Sequence, residues 1–373
     1  MKRAGASRTE VAAAAFVAAL VLLGAAYVVT SPQGPTSSTA STVSSSSTIA
    51  QASPPPSSTT NASSSTSSEQ SSSSIETSSS STSTSSSAAS TSGSGQISHV
   101  IIVLMENEEY SSVIGDPSAP YQNGLASSYA LAADYLGVAH PSLPNYLALI
   151  SGSTFGVTSD CQPAQCSQPS NVTTIATLLD SHHLSWREYA ESMPANCSQV
   201  VSSDDLYYPK HNPFVYFAAI TGNNGTGSAS SYCDSHVVSL SQFYADLQAG
   251  DLPNYSFVTP NICDDAHSCP LSTGDSWLST FVPKIISSSS FPTTALFITY
   301  DEGNTNDTTG GGGKVPCILV SPFAKPGYVS HLEYSHYSLL ATVEAIFNLG
   351  NLGRNDASAT AMSDLFSPSA RIP

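Results

Sequence analysis

The sequence predicts an α/β fold over residues 97–373, with a mostly parallel central sheet and helices on both faces. Three observations carry that expectation. Short β-branched apolar runs at 98–107, 254–261 and 293–303 end in polar residues, which is the pattern of strands buried on both faces. Amphipathic segments at 174–183, 240–250 and 275–288 stand among them, so strand-type and helix-type periods alternate as a helix-covered parallel sheet requires. Everything before residue 97 has a different character, a charge-free apolar run followed by a Ser/Thr tract.

Residues 11–30, VAAAAFVAALVLLGAAYVVT, carry no charge, and a membrane-spanning helix needs roughly 20 such residues. Lys2, Arg3 and Arg8 outnumber Glu10 ahead of it, which keeps residues 1–10 in the cytoplasm and exports the rest. The expectation is a single-pass protein of the cell membrane with its folded domain outside. A cleaved signal peptide is the rival reading, although its apolar region usually runs only about 7–15 residues. Residues 31–96 are almost entirely Ser and Thr with scattered Pro. That composition buries too little apolar surface to offset its ordering entropy and reads as a disordered, O-glycosylated stalk.

Charged residues are 10% of the chain and the formal net charge is −17. With ten basic residues in 373, nucleic acid and anionic membrane surfaces are poor partners. The membrane is expected to be met through the N-terminal helix only. All seven cysteines follow the stalk, and six sequons stand at Asn61, Asn171, Asn196, Asn224, Asn254 and Asn306, both of which fit an exterior location. Cys161/Cys166, Cys197/Cys233 and Cys263/Cys269 are the neighbours expected to pair. Cys317, inside the strand-like VPCILVSPF, is the expected unpaired thiol.

Along the domain, 98–107 reads as a buried strand. LASSYALAADYL (125–136), HPSLPNYLALISGS (140–153) and TIATLLDSHH (174–183) read as possible helices. LSQFYADLQAG (240–250) is amphipathic and stops at Gly250, and 254–261 is a strand running into a loop. Residues 275–288 read as a helix that Pro283 should kink or shorten. Residues 293–303 and 314–323 are strands. Residues 335–350 form a helix with an N-cap serine and a glycine stop.

Ligands of parallel sheets bind beyond the carboxyl ends of the strands. MEN at 105–107 and YDEG at 300–303 end two strands, so Glu106, Asn107, Asp301 and Glu302 should gather on one edge. These are hard oxygen ligands suited to Mg²⁺, Ca²⁺, Mn²⁺ or Zn²⁺, and each taken singly also reads as a solvated loop residue. GNTNDTTGGGG (303–313) reads as a flexible loop with too many glycines to pack. No G-x-S-x-G elbow occurs, so Ser142 lacks the α/β-hydrolase setting, and a Pro-Ser-x-Pro corner is also ordinary turn chemistry. Of nine histidines, His140, His211, His267 and His336 sit at loops or element starts near the candidate ligands.

VIIVLMENEEY, HPSLPNYLALISGS, YDEG, and VPCILVSPFAKPGYVS with SHYSLLATVEAIFNLGNLG follow one another in order from about 98 to 353. This series resembles the phosphoesterase family of bacterial-type acid phosphatases and phospholipases C, within the alkaline-phosphatase superfamily. The resemblance implies an alkaline-phosphatase-like fold with Ser142 as the nucleophile that carries the phosphoryl group. It implies Asn145 on a phosphate oxygen, and Glu106, Asn107, Asp301 and Glu302 around a divalent metal ion. His140, His267 and His336 match active-site histidines, one of which protonates the leaving oxygen. Lys210 and His211 match the substrate side. The pattern departs from two-metal members at YDEG, which has Asp-Glu for Asp-His, and at Cys263 before His267, so a complete second metal site is not expected.

The reading that follows is an extracellular, membrane-anchored, metal-dependent acid phosphatase acting on a phosphorylated small molecule or lipid. Acid would keep the histidines charged where basic residues are few. A phospholipase C-like phosphodiesterase is the alternative within enzymes. A non-catalytic surface adhesin or binding protein is the alternative outside them.

Overall fold

The computed structural model describes residues 96–370 and Ile372. The expected cytoplasmic segment 1–10, the apolar run 11–30 and the stalk up to residue 95 lie outside the described residues. No helix among the described residues is long and apolar enough to cross a membrane.

In chain order the elements are β1 His99–Met105, α1 Tyr110–Val113, α2 Pro120–Ser128, β2 Ala130–Leu136, α3 Ser142–Ser151, α4 Pro163–Cys166, α5 Ile175–Ser181 and β3 Trp186–Ala190. There follow α6 Ala218–Thr221, α7 Ser231–His236, β4 Val237–Ser239, α8 Leu240–Ala249, β5 Tyr255–Thr259 and α9 Leu271–Ile286. The last are β6 Thr294–Tyr300, β7 Lys314–Val320, β8 Tyr328–Ser330, β9 Tyr334–Ser335 and α10 His336–Phe347. Among the described residues the strands form one sheet in the order β4-β3-β5-β1-β6-β7-β2-β8, with β9 also on β2.

The sheet is mixed. β7 runs antiparallel to both β6 and β2, and the remaining pairings are parallel. Two antiparallel steps across β7 return β2 to the direction of β1, β5 and β6. The carboxyl ends of these four strands therefore share one edge, and that places the site. Val100–Met105, Tyr255–Thr259 and Thr294–Tyr300 are buried without alternation. Both faces of the central sheet are thus covered, as the β-branched runs predict.

Two expectations need correction, and one strand was not expected. Residues 125–136 divide into the end of α2 and strand β2. Alanine favours helix locally, but Ala130–Ala132 lie between β7 and β8, and pairing on both sides overrides that weak preference. Trp186–Ala190, which carried no strand expectation, is β3. It stands between β4 and β5, with Trp186 stacked on Phe214 and His236. Pro283 lies inside α9 without ending it, and the helix begins at Leu271, ahead of the expected start. The disulfides Cys161–Cys166, Cys197–Cys233 and Cys263–Cys269 form as expected, and Cys317 is free and buried on β7.

Glu188 on β3 is fully buried. One oxygen accepts the Thr259 hydroxyl at 2.9 Å and the other has no partner. Burial holds its pKa well above 4.5, with the Thr259 hydroxyl opposing. The folded state therefore keeps a proton that the unfolded chain releases near pH 4.5, so stability falls as pH rises above that value. Glu188→Gln is expected to stabilise the protein at pH 7 and to do little at pH 4. Thermal melts at both pH values check this, and an equal shift at each would refute it.

Candidate active site

Ser142 is the first residue of α3, entered from the carboxyl end of β2 through residues 137–141. All of α3 is buried, so the helix is anchored along its whole length. Asn145 clamps the corner from within. Its Oδ1 accepts the N–H groups of Val138 (2.8 Å) and Ala139 (3.1 Å), and its Nδ2 donates to the carbonyls of Ala139 (2.7 Å) and Pro141 (3.4 Å).

The glycine-rich loop holds the corner from outside, contrary to the expectation that it would not pack. Gly137 donates to Gly313 O at 2.8 Å and Gly312 donates to Gly137 O at 3.1 Å. A Cβ on Gly311 would lie 2.4 Å from Val138 O, and one on Gly312 would lie 2.6 Å from Ala139 O. Glycine is needed here for close backbone approach rather than for freedom of movement.

Glu106 follows β1 and is fully buried. Its Oε2 accepts the Ser142 hydroxyl at 3.2 Å and the Asn107 amide at 3.3 Å, and its Oε1 accepts the Tyr146 hydroxyl at 2.5 Å. Asn107 sits at φ 60, a conformation that asparagine tolerates, and its backbone N–H donates to Asp301 Oδ1 at 3.1 Å. His211 stacks on Tyr146 at 5.4 Å. Its Nε2 lies 3.2 Å from Glu106 Oε1 without a hydrogen bond, and its Nδ1 lies 3.3 Å from Asp265 Oδ2. Glu106, His211 and His267 each present a ligand atom, all within 4.8 Å of one another.

Burial dominates the electrostatics. It raises Glu106 well above the carboxylate range, helped by Asp301 and Asp265 and opposed by Lys210. It takes Asp301 to about 7 against the amides of Asn107 and Glu302, and Asp265 to about 7 against the His267 N–H. It takes Glu302 to about 9, with Asp301 adding to the effect. The imidazoles move the other way. Burial, then Lys210, holds His211 well below its usual value and brings His267 to about 4. Charged histidines at acidic pH are therefore not what this site offers, because burial favours the neutral ring.

Four crowded carboxyls, neutral imidazoles and one nearby lysine make a cradle for a cation. Asp301 Oδ2, Asp265 Oδ2 and His211 Nε2 are buried without hydrogen-bond partners, an arrangement that costs free energy unless something binds there. The donor set therefore fits a divalent metal ion.

Glu106, Asn107, Asp301, Ser142, His211, His267 and Lys210 come together. Glu302 faces His140, with Oε2 2.6 Å from Nδ1, while His140 Nε2 meets the Asp307 carbonyl at 2.8 Å. Both ring nitrogens of His140 are thus engaged, Nε2 with the glycine-rich loop. His336 is fully buried between the Tyr135 hydroxyl (3.0 Å) and the Asp301 carbonyl (2.5 Å). Burial lowers its pKa to about 4, so it has neither a free nitrogen nor a charge for substrate. Asn145 is fully buried with its amide engaged by the corner, which makes it a brace rather than a phosphate contact. His211, expected on the substrate side, stands with Glu106 and His267 among the side chains that could hold a metal ion.

Asp265, Tyr146 and Asp160 carried no expectation. Asp265 was visible as the second acid of CDDAH. Tyr146 was visible four residues after Ser142, on the same helix face.

The fold sets a buried serine beside a carboxylate and imidazole cradle at the carboxyl ends of the central strands. A family model described as "Phosphoesterase family" matches residues 116–350, and the chain belongs to that family. It is 33% identical over 270 residues to the phosphate-repressible acid phosphatase of Penicillium chrysogenum, covering 70% of this chain and 61% of that one. It is 31% identical over 256 residues to the phosphatidylinositol-3-phosphatase of Mycobacterium tuberculosis, covering 69% and 79%. The chain spans about three fifths of the length of its fungal relatives, 61% for the Penicillium protein. Its fold is shared with a Bacteroides thetaiotaomicron protein from a glycosaminoglycan-metabolism locus, at TM-score 0.53 and 10% identity over 73% of this chain and 82% of that one.

Proposed function

We propose that this chain is a metal-dependent phosphomonoesterase of the acid phosphatase type, with Ser142 as its nucleophile. The observation that carries the reading is the Ser142 hydroxyl, which donates at 3.2 Å to a buried carboxylate of the metal cradle. Glu106, Asp301, Asp265, His211 and His267 would hold the ion. When bound, it supplies positive charge to the phosphoryl oxygens and favours the ionised serine. The Ser142 Oγ–P bond forms as the ester P–O bond breaks, and the serine proton passes to Glu106 and from there, through solvent, to the departing alkoxide. Water then attacks phosphorus, the Oγ–P bond breaks and orthophosphate leaves. Lys210 contributes a fixed charge for a phosphate oxygen.

Residues 11–30 would anchor the enzyme with its domain outside the cell. The three disulfides support an oxidising location. Small-molecule and lipid monoesters are both within this reading.

The test is hydrolysis of p-nitrophenyl phosphate by the full-length chain across pH and divalent metals, beside bis-p-nitrophenyl phosphate. Monoester turnover well above diester turnover is expected. Diester turnover by itself would assign a phospholipase C-like phosphodiesterase. No turnover of either by folded, metal-supplied protein would leave a surface-binding role.

A further inference from the structure

We propose that Asp160 is a positioning residue that sets Lys210 in the phosphate side of the site and locks it to the nucleophile's helix. This rests on the reading of Ser142 and Lys210 given above. The two carboxylate oxygens of Asp160 do different things. Oδ1 accepts the Leu143 N–H at 3.0 Å. Leu143 is the second residue of α3, whose N-cap position is Pro141 and has no side-chain cap, so the acceptor comes from a remote segment. Oδ2 accepts the Lys210 ammonium at 3.0 Å. One carboxylate thereby joins the backbone next to Ser142 to the cation whose charge bears on Glu106, Asp265, Asp301 and Glu302.

Lys210 needs such a holder. A lysine is a flexible stem ending in a point charge. Its other close neighbour is the neutral His267, with Nε2 at 3.3 Å. Released from Asp160, the ammonium would be drawn to the buried carboxylates and would compete there with the metal ion.

The segment carrying Asp160 is built to resist that pull. Cys161 is bonded to Cys166, and its carbonyl accepts the Tyr216 hydroxyl at 2.8 Å. Gly225 packs against the backbone of Pro163, at 2.1 Å from where a Cβ would stand. The disulfide acts on the site through Asp160.

The test is a double-mutant cycle in the full-length chain with Asp160→Asn, Lys210→Met and both together. Asparagine keeps the acceptor for Leu143 and removes the charge that holds Lys210. Two readouts are used: kcat/KM for p-nitrophenyl phosphate, and orthophosphate affinity by calorimetry, which needs no turnover. Asp160→Asn is expected to lower both by about 10-fold or more, the range for a charged hydrogen bond, with an unchanged thermal midpoint. In the Lys210→Met background it should do almost nothing. Asp160→Glu, which keeps the charge, should recover part of the loss and covers the case in which asparagine misfolds.

Wild-type behaviour of Asp160→Asn, or an equal loss in the Lys210→Met background, would reduce Asp160 to a helix cap and overturn the proposal. A wild type that binds orthophosphate but turns over no ester would overturn the phosphatase reading while the affinity cycle still decides Asp160. A wild type that binds none would overturn both.

Discussion

Ser142→Ala is expected to lower monoester turnover by about 10³-fold or more, the scale seen when a nucleophile is removed. The fold should survive. The hydroxyl makes one bond, to Glu106 Oε2, and Glu106 keeps the Tyr146 hydroxyl and the Asn107 amide. Loss of one such bond costs about 1 kcal/mol, so the thermal midpoint should move little. Two measurements read the result. Steady-state kinetics give the loss, and intact mass after an acid quench detects a phosphoryl adduct on the wild type that the variant lacks. An alanine variant with more than a tenth of wild-type turnover would show that water, not Ser142, attacks phosphorus.

Glu106→Gln is expected to separate stability from activity. The substitution keeps the side-chain shape and removes a charge that burial, Asp301 and Asp265 all oppose. In metal-free protein the thermal midpoint should therefore hold or rise. Activity should fall by about 10²–10³-fold, because the cradle loses a charged ligand and the serine loses its proton acceptor. Metal content after dialysis should fall in parallel, and chelation of the wild type should reproduce the loss reversibly. Unchanged metal content with unchanged turnover would remove Glu106 from the site. This opposition of signs is the usual price of a binding site, where groups are placed for a ligand rather than for the fold.

Where the site would lie was legible in the sequence. MEN and YDEG mark the carboxyl ends of β1 and β6, and the Pro-framed corner marks the entry to α3. These are patterns of chain direction, turn chemistry and apolar period, which adjacent residues set among themselves. Which side chains have polar atoms free within the site was less legible. His336 and Asn145 stand at the expected positions in the chain, yet each is fully buried with both polar atoms engaged. His211 joins Glu106 and Asp265, residues far from it in the chain. No window of sequence contains those distances.

By itself, then, the sequence determined the alternating α/β plan, the gathering of acids at strand ends, the serine corner and the cysteine pairs. Each of these follows from local period, local turn preference or short spacing. The tertiary structure decided that Ala130–Leu136 is a strand, that the glycines of 310–313 pack, and that burial lowers the pKa of His211, His267 and His336. It also decided that Asp160 meets Lys210. The physical reason is common to all four. Strand pairing, close backbone approach, desolvation and charge contact depend on neighbours brought together from distant parts of the chain, and they outweigh local preferences worth less than about 1 kcal/mol per residue.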